Sequence, residues 1–343
     1  MSQFDIKKFK NILVMEQPEL HYFLRGKLDD LYPRKDLYTD DKNFIYVKGD
    51  IPVLVLAHLD TVHLNKPTYS SIYYDPSKGV MWSPDGIGGD DRCGVHSILS
   101  ILEKGFRPHV LFSWDEEIGC VGSSEFSKTV EGMFGSPVQD ALSEINFAIQ
   151  FDRKGFSESV YYDLDNKDFE EYINSFGFET NIGSFTDIAV VCPEFGFAGV
   201  NISAGYINEH TTSETIFVDE MLASERKVID ILKDQVENST HYEYKENTSG
   251  YYSYGSGWGS SYGSYYKGGS YSSKSYGFDD YEETKDLLYY DSDDETFMPT
   301  EEYTTCEFCY AEKGNVPWDD TDDPVLGKLC NECRASYPYD PHA

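Results

Sequence analysis

No run of apolar residues in this chain approaches the ~18 that a membrane-crossing helix needs. Basic residues are scarce as well: 28 Lys and Arg stand against 61 Asp and Glu, a formal net charge of -33. Such a surface repels phosphate backbones and anionic lipid, so neither nucleic acid nor a membrane is expected as a partner. The stretch MSQFDIKKFKNILVMEQ lacks the uninterrupted hydrophobic block of a secretory signal, so a cytosolic, cytoplasmic chain is expected. Cysteines are few, seven in 343 residues, and four of them fall in two pairs near the carboxyl end. The remainder is ordinary for a globular chain: 40% hydrophobic, 26% charged, and long enough to predict two or three structural units.

Composition changes sharply near residue 240. Residues 1–240 alternate short apolar runs with helical patterns and predict one large domain. Residues 241–300 begin with a Tyr, Gly and Ser tract containing YYSYGSGWGSSYGSYYKGGSYSSKSYGF. Its aromatics have no period and its small residues maximise chain entropy, so it reads as a flexible, disordered linker. The acidic run FDDYEETKDLLYYDSDDETF that follows reads as a solvated spacer, with a partner-docking tail as the alternative. Residues 301–343 carry the cysteine pairs.

Four runs within the first domain have strand length and β-rich composition: 51–57, 109–114, 147–151 and 197–202. Helical periodicity joins Val95, Ile98, Leu99 and Leu102, and later Val218, Met221, Leu222, Ile229, Leu232 and Val236. Strands apolar on both faces and alternating with helices predict an α/β sandwich with a largely parallel sheet.

Polar residues follow these runs. The first ends in His58-Leu59-Asp60, the second in Asp115-Glu116-Glu117, the third in Asp152. Open α/β sheets place their chemistry beyond the carboxyl ends of their strands, so these groups should converge on one crevice. Two further segments contribute. The Gly-rich turn 83–91 ends in Asp90-Asp91 ahead of a helix, and the loop 208–214 carries His210. His58, Asp90, Glu117, Asp152 and His210 form an imidazole and carboxylate set suited to zinc or a similar divalent ion. Five ligands exceed the needs of one tetrahedral ion, and two ions sharing Asp90 fit the count.

The stretches AHLDTVH, GIGGDDRCGV, DEEIGCVGS, QFDR, FTDIAVV and NEHTTSE, in that order, resemble the co-catalytic di-zinc metalloexopeptidases. That superfamily includes leucyl-type aminopeptidases, peptidase T, and related deacylases and carboxypeptidases. The resemblance covers residues 45–240 and implies a three-layer α/β/α sandwich of phosphorylase/hydrolase-like type, with a mostly parallel mixed sheet. It also implies that Asp90 bridges two zinc ions, that His58, Glu117, Asp152 and His210 complete their ligands, and that Asp60 fixes the tautomer of His58. Glu116 becomes the general base, removing a proton from the water between the ions and passing it to the leaving amine. Thr186 and Asp187 match a pocket-lining loop, with a helix cap as the alternative. Arg92 and Arg153 either clamp a substrate carboxylate or pair with surplus acids. Asp152 and His210 are 58 positions apart, too few for an inserted lid domain. A single-domain aminopeptidase acting on short peptides is therefore expected, with a deacylase or carboxypeptidase on the same metals as the alternative.

Cys306-x2-Cys309 and Cys330-x2-Cys333 have the spacing of a four-thiolate zinc ribbon, and a structural zinc would supply its folding energy. Two disulfides are the alternative. Asp319, Asp320, Asp322 and Asp323 lie between the pairs, so a protein partner or a plain structural role is expected of the ribbon. A scaffold protein acting through this region, with an inert metal domain, is the competing class of function. Cys93, Cys120 and Cys192 read as buried small residues.

Overall fold

The computed structural model describes residues 4–247 apart from 64, 134 and 184. Most of the expected linker, and the ribbon with Cys306, Cys309, Cys330 and Cys333, lie outside the described residues. The chain opens with helices α1 (Ile6–Val14) and α2 (Gln17–Leu31), then strands β1 (Leu37–Asp40), β2 (Phe44–Val47) and β3 (Ile51–His58). Asp5 caps α1 by accepting from the backbone N–H groups of Lys7 and Lys8, and Glu16 with Glu19 forms a capping box on α2. A hairpin of β4 (Tyr73–Asp75) and β5 (Val80–Trp82) precedes α3 (Gly89–Glu103) and β6 (Pro108–Ser113). Helices α4 (Val121–Glu131) and α5 (Pro137–Ser143) lead to β7 (Phe147–Arg153). Next come β8 (Glu158–Val160), α6 (Lys167–Asn174), β9 (Glu179–Thr180), α7 (Ile188–Phe195) and β10 (Ala198–Ser203). Strands β11 (Tyr206–Ile207) and β12 (Thr215–Phe217) run into the long α8 (Val218–Asn238).

Eight strands form one mixed sheet in the order β1-β2-β6-β3-β7-β10-β8-β9, whose centre, β6-β3-β7-β10, is parallel. Alternation along β3 shows the layering. Val53, Val55 and Ala57 join one core with Leu24, Ile98 and Leu232, whereas Leu54 and Leu56 join another with Phe126, Val130, Leu142 and Val191. Helices α1, α3 and α8 thus cover one face, and α4, α5 and α7 the other. The four strands expected from sequence correspond to β3, β6, β7 and β10 within two residues at each end. One helical position departs from expectation: Val236 is 63% exposed. Its neighbour Gln235 turns inward instead, accepting from Asn146 Nδ2 and donating to the Tyr172 hydroxyl, both at 2.8 Å. No helix among the described residues is long and apolar enough to cross a membrane.

A second, antiparallel sheet of order β11-β12-β5-β4 was not evident in the sequence. It pairs Thr215 with Trp82 and Ile216 with Met81, bringing the loop of His210 alongside the turn of Asp90.

The folded unit continues past residue 240, where the linker was expected to begin. Tyr242 donates to Asn146 O and accepts from Ala198 N, Tyr244 donates to Gly196 O, and Asn247 donates to Asp163 O. The Tyr242 ring lies 5.2 Å from that of Phe169. Ending the chain after residue 240 should therefore lower stability by about 2 kcal/mol or more, because several backbone bonds and an aromatic contact are lost. Ending it after 247 should not. Urea unfolding of the two truncations checks this, and equal midpoints would show the strap to be dispensable.

Candidate functional site

His58 closes β3 and Asp152 lies near the end of β7, the adjacent parallel strand. Asp115, Glu116 and Glu117 follow β6 on the other side of β3. Asp90 enters from the start of α3, where Asp90 and Asp91 have non-helical dihedrals and are joined by a cis peptide bond. His210 stands in the turn between β11 and β12 with φ 61°.

These five side chains meet around the two oxygens of Asp90. His58 Nε2 lies 3.0 Å from Asp90 Oδ1 and 3.3 Å from Asp152 Oδ1. His210 Nε2 lies 3.2 Å from Asp90 Oδ2 and 3.0 Å from Glu117 Oε2. Asp90 thus divides the set into two groups, His58 with Asp152 and His210 with Glu117, a grouping that spacing left open. His58 is fully buried, whereas the side chain of His210 is 53% exposed, so His210 stands at the solvent side of the site.

Supporting residues hold the set in place. Asp60 Oδ1 sits 3.1 Å from His58 Nδ1. The same carboxylate also accepts from the backbone N–H groups of Glu116 and Glu117, at 3.0 and 3.1 Å, which sequence reasoning missed. Asp60 therefore fixes an imidazole and the glutamate turn together. Asp60→Asn should weaken binding of a divalent cation at this site by about 10–100-fold, since the amide loses one acceptor needed by three donors. Unchanged zinc affinity of the variant, measured by calorimetric titration, would remove Asp60 from this role.

Asp152 is held by Thr186 Oγ1 at 2.6 Å, with Tyr206 and Asn201 close by. Thr186 thus lines the site. Asp187 begins α7 without a side-chain cap bond and is instead bonded by Ser113 Oγ. The three cysteines 93, 120 and 192 are buried as expected, and Cys120 Sγ lies 3.7 Å from Glu116 Oε1.

The electrostatics are those of a cation cage. Burial, with Asp152 nearby, pushes Glu116 up to about 9. Burial beside Asp90 raises Glu117 to about 7 and Asp152 to about 6. Burial also opposes ionisation of Asp90, yet hydrogen bonds from His210 and His58 hold it well below the usual carboxylate range. The bond to Asp90 lifts His210 to about 9. Glu117 Oε1 is buried with no hydrogen-bond partner. Crowded carboxylates, two imidazoles and an orphaned acceptor fit divalent cation binding, which would satisfy that oxygen and offset the surplus negative charge.

Both arginines have partners within the fold. Arg92 is buried and donates to the carbonyls of Leu59 and Met15 rather than to acids. Arg153 Nε is paired with Glu158 at 2.7 Å.

No family model matches this chain, and no curated protein matches it in sequence. Solved structures do. A tripeptidase from Staphylococcus aureus subsp. aureus Mu50 is similar with a TM-score of 0.51 and 13% identity, over 67% of this chain and 97% of that one. An aminopeptidase from the archaeon Desulfurococcus kamchatkensis is similar with a TM-score of 0.50 and 12% identity, over 67% and 94%. This chain shares their fold. At such identity the likeness concerns architecture, and function must be argued from the side chains.

Proposed function

We propose that this chain is a zinc-dependent exopeptidase, an aminopeptidase acting on short peptides. The observation that carries the reading is the division of the ligand set by Asp90: one oxygen toward His58 and Asp152, the other toward His210 and Glu117. Cations held by these five residues would supply Lewis acidity, lowering the pKa of a shared water and polarising a carbonyl. Glu116, which the nearby cations would keep ionised despite its burial, takes the proton of the attacking water on its carboxylate and returns it to the departing amine nitrogen. Cys120, whose thiol burial keeps protonated, donates weakly to that carboxylate and steadies it. Asp60 keeps His58 and the Glu116 turn in register.

An amino-terminal rather than carboxyl-terminal preference is supported by the two arginines, both engaged elsewhere. The four-cysteine carboxyl-terminal module would bind one structural zinc and a protein partner. A panel of short peptides with free and acetylated amino termini, with and without chelator, tests the reading. Cleavage of the free-amine peptides alone, lost on chelation, is expected. Cleavage of acetylated peptides would point to a deacylase or carboxypeptidase, and chelator-resistant turnover would overturn the metal reading. Removing residues 248–343 should leave hydrolysis intact, whereas a scaffold acting through its ribbon would show none in either form.

A further inference from the structure

Glu214 lies outside the ligand set, yet it is fully buried and both its oxygens are engaged. Oε2 accepts from the backbone N–H of Gly88 at 2.8 Å and lies 2.8 Å from His63 Nε2. Oε1 accepts from the backbone N–H of Asp90 at 2.9 Å. Helix α3 has no cap of its own, because its N-cap position is Gly88 in the left-handed region at φ 69°. Glu214 therefore caps α3 from more than a hundred residues away, at the point where the backbone delivers Asp90. His63 is set against the same loop: a Cβ at Gly86 would fall 2.3 Å from its ring. Glu214 also sits at the end of the His210 turn, immediately before β12. One carboxylate thus ties the turn bearing His210 to the turn bearing Asp90, and those two side chains approach within 3.2 Å.

We propose that Glu214 is a positioning residue that sets the affinity of the cage for its cations, with His63 as the partner that keeps its carboxylate aimed. The inference rests on the peptidase reading only in taking the cage to be a cation site. Both oxygens hold backbone donors, so Asp90 is fixed at its main chain before any ion arrives. Without Glu214 the loop 86–90 loses two bonds, and part of the binding energy must order it.

The test is calorimetric titration of the chelator-stripped full chain with Zn2+. Glu214→Gln and Glu214→Ala should bind about tenfold or more weakly than wild type at a temperature where their far-ultraviolet spectra match it. Their activity should require correspondingly more zinc for half-saturation and recover in excess zinc, which a general loss of structure would not do. His63→Gln should shift the isotherm in the same direction by less. The four carboxyl-terminal cysteines are unaltered throughout, so differences between isotherms report the cage. A folded Glu214→Gln chain with the wild-type isotherm overturns the proposal and leaves the peptidase reading standing. If neither Glu214 variant folds, the His63→Gln isotherm decides: a shift supports the proposal, and no shift overturns it. A wild-type chain whose only zinc is held by cysteines overturns both readings.

Discussion

Glu116→Gln is expected to lower peptide hydrolysis by about 10²–10⁴-fold, the usual worth of a general acid-base group, with zinc content unchanged. The amide is isosteric with the carboxylate, and the contact of this residue with Asp60 runs through its backbone N–H, which the substitution leaves in place. What disappears is the only function the amide cannot perform: taking a proton and giving it back. The loss should therefore fall on kcat, with KM little changed, because the substrate still meets the same cage. Metal analysis alongside steady-state kinetics checks both halves. Wild-type turnover in the variant would exclude Glu116 as the base, and loss of zinc would instead make it a structural part of the cage.

Chelation is expected to abolish hydrolysis and to make the stability of the stripped protein fall as pH rises. Burial raises Asp152 to about 6 and Glu117 to about 7, above ordinary carboxylate values of roughly 4. The folded state then binds more protons than the unfolded chain between those values. Their contribution is complete below about pH 4 and is lost as pH rises through 6 and 7. His210, raised to about 9 by Asp90, acts in the same direction, its contribution being lost as pH climbs from about 6.5 through 9. Zinc should reverse the trend. A ligand at about a thousand times its dissociation constant adds about 4 kcal/mol, and the gain should be larger near pH 8 than near pH 5, where protons compete for the same oxygens. Thermal midpoints across that range, with chelator and with zinc, measure it. A stripped protein whose midpoint is flat or rises with pH above about 6.5, where the buried His96 and His109 no longer oppose the trend, would contradict the carboxylate crowding.

Particular residues show what could be read before the fold was known. β3, β6, β7 and β10 are continuous apolar runs, and each of the first three ends in, or runs directly into, the polar group it delivers, so strand and chemistry are adjacent in sequence. Asp90 and His210 were legible because a glycine-rich turn and a polar loop flank helical patterns. Other features carried no local mark. Strands β4, β11 and β12 are two or three residues long, too short for any period to show. Asp60 was assigned one partner when it has three, because two of them lie more than fifty positions away. Glu214 was visible only as the last letter of a polar loop, since a buried carboxylate and an exposed one look alike in a sequence. The strap 242–247 was placed with the linker because its tyrosines resemble those that follow it.

The sequence by itself determined the four central strands of the main sheet, their parallel direction and the identity of the residues at their ends, because hydrophobic period and chain order are local properties. Only the tertiary structure decided how those residues divide around Asp90, which carboxylates are crowded enough to hold protons, and that Glu214 holds the loop from behind. Those outcomes depend on distances between segments far apart in the chain, which packing alone fixes.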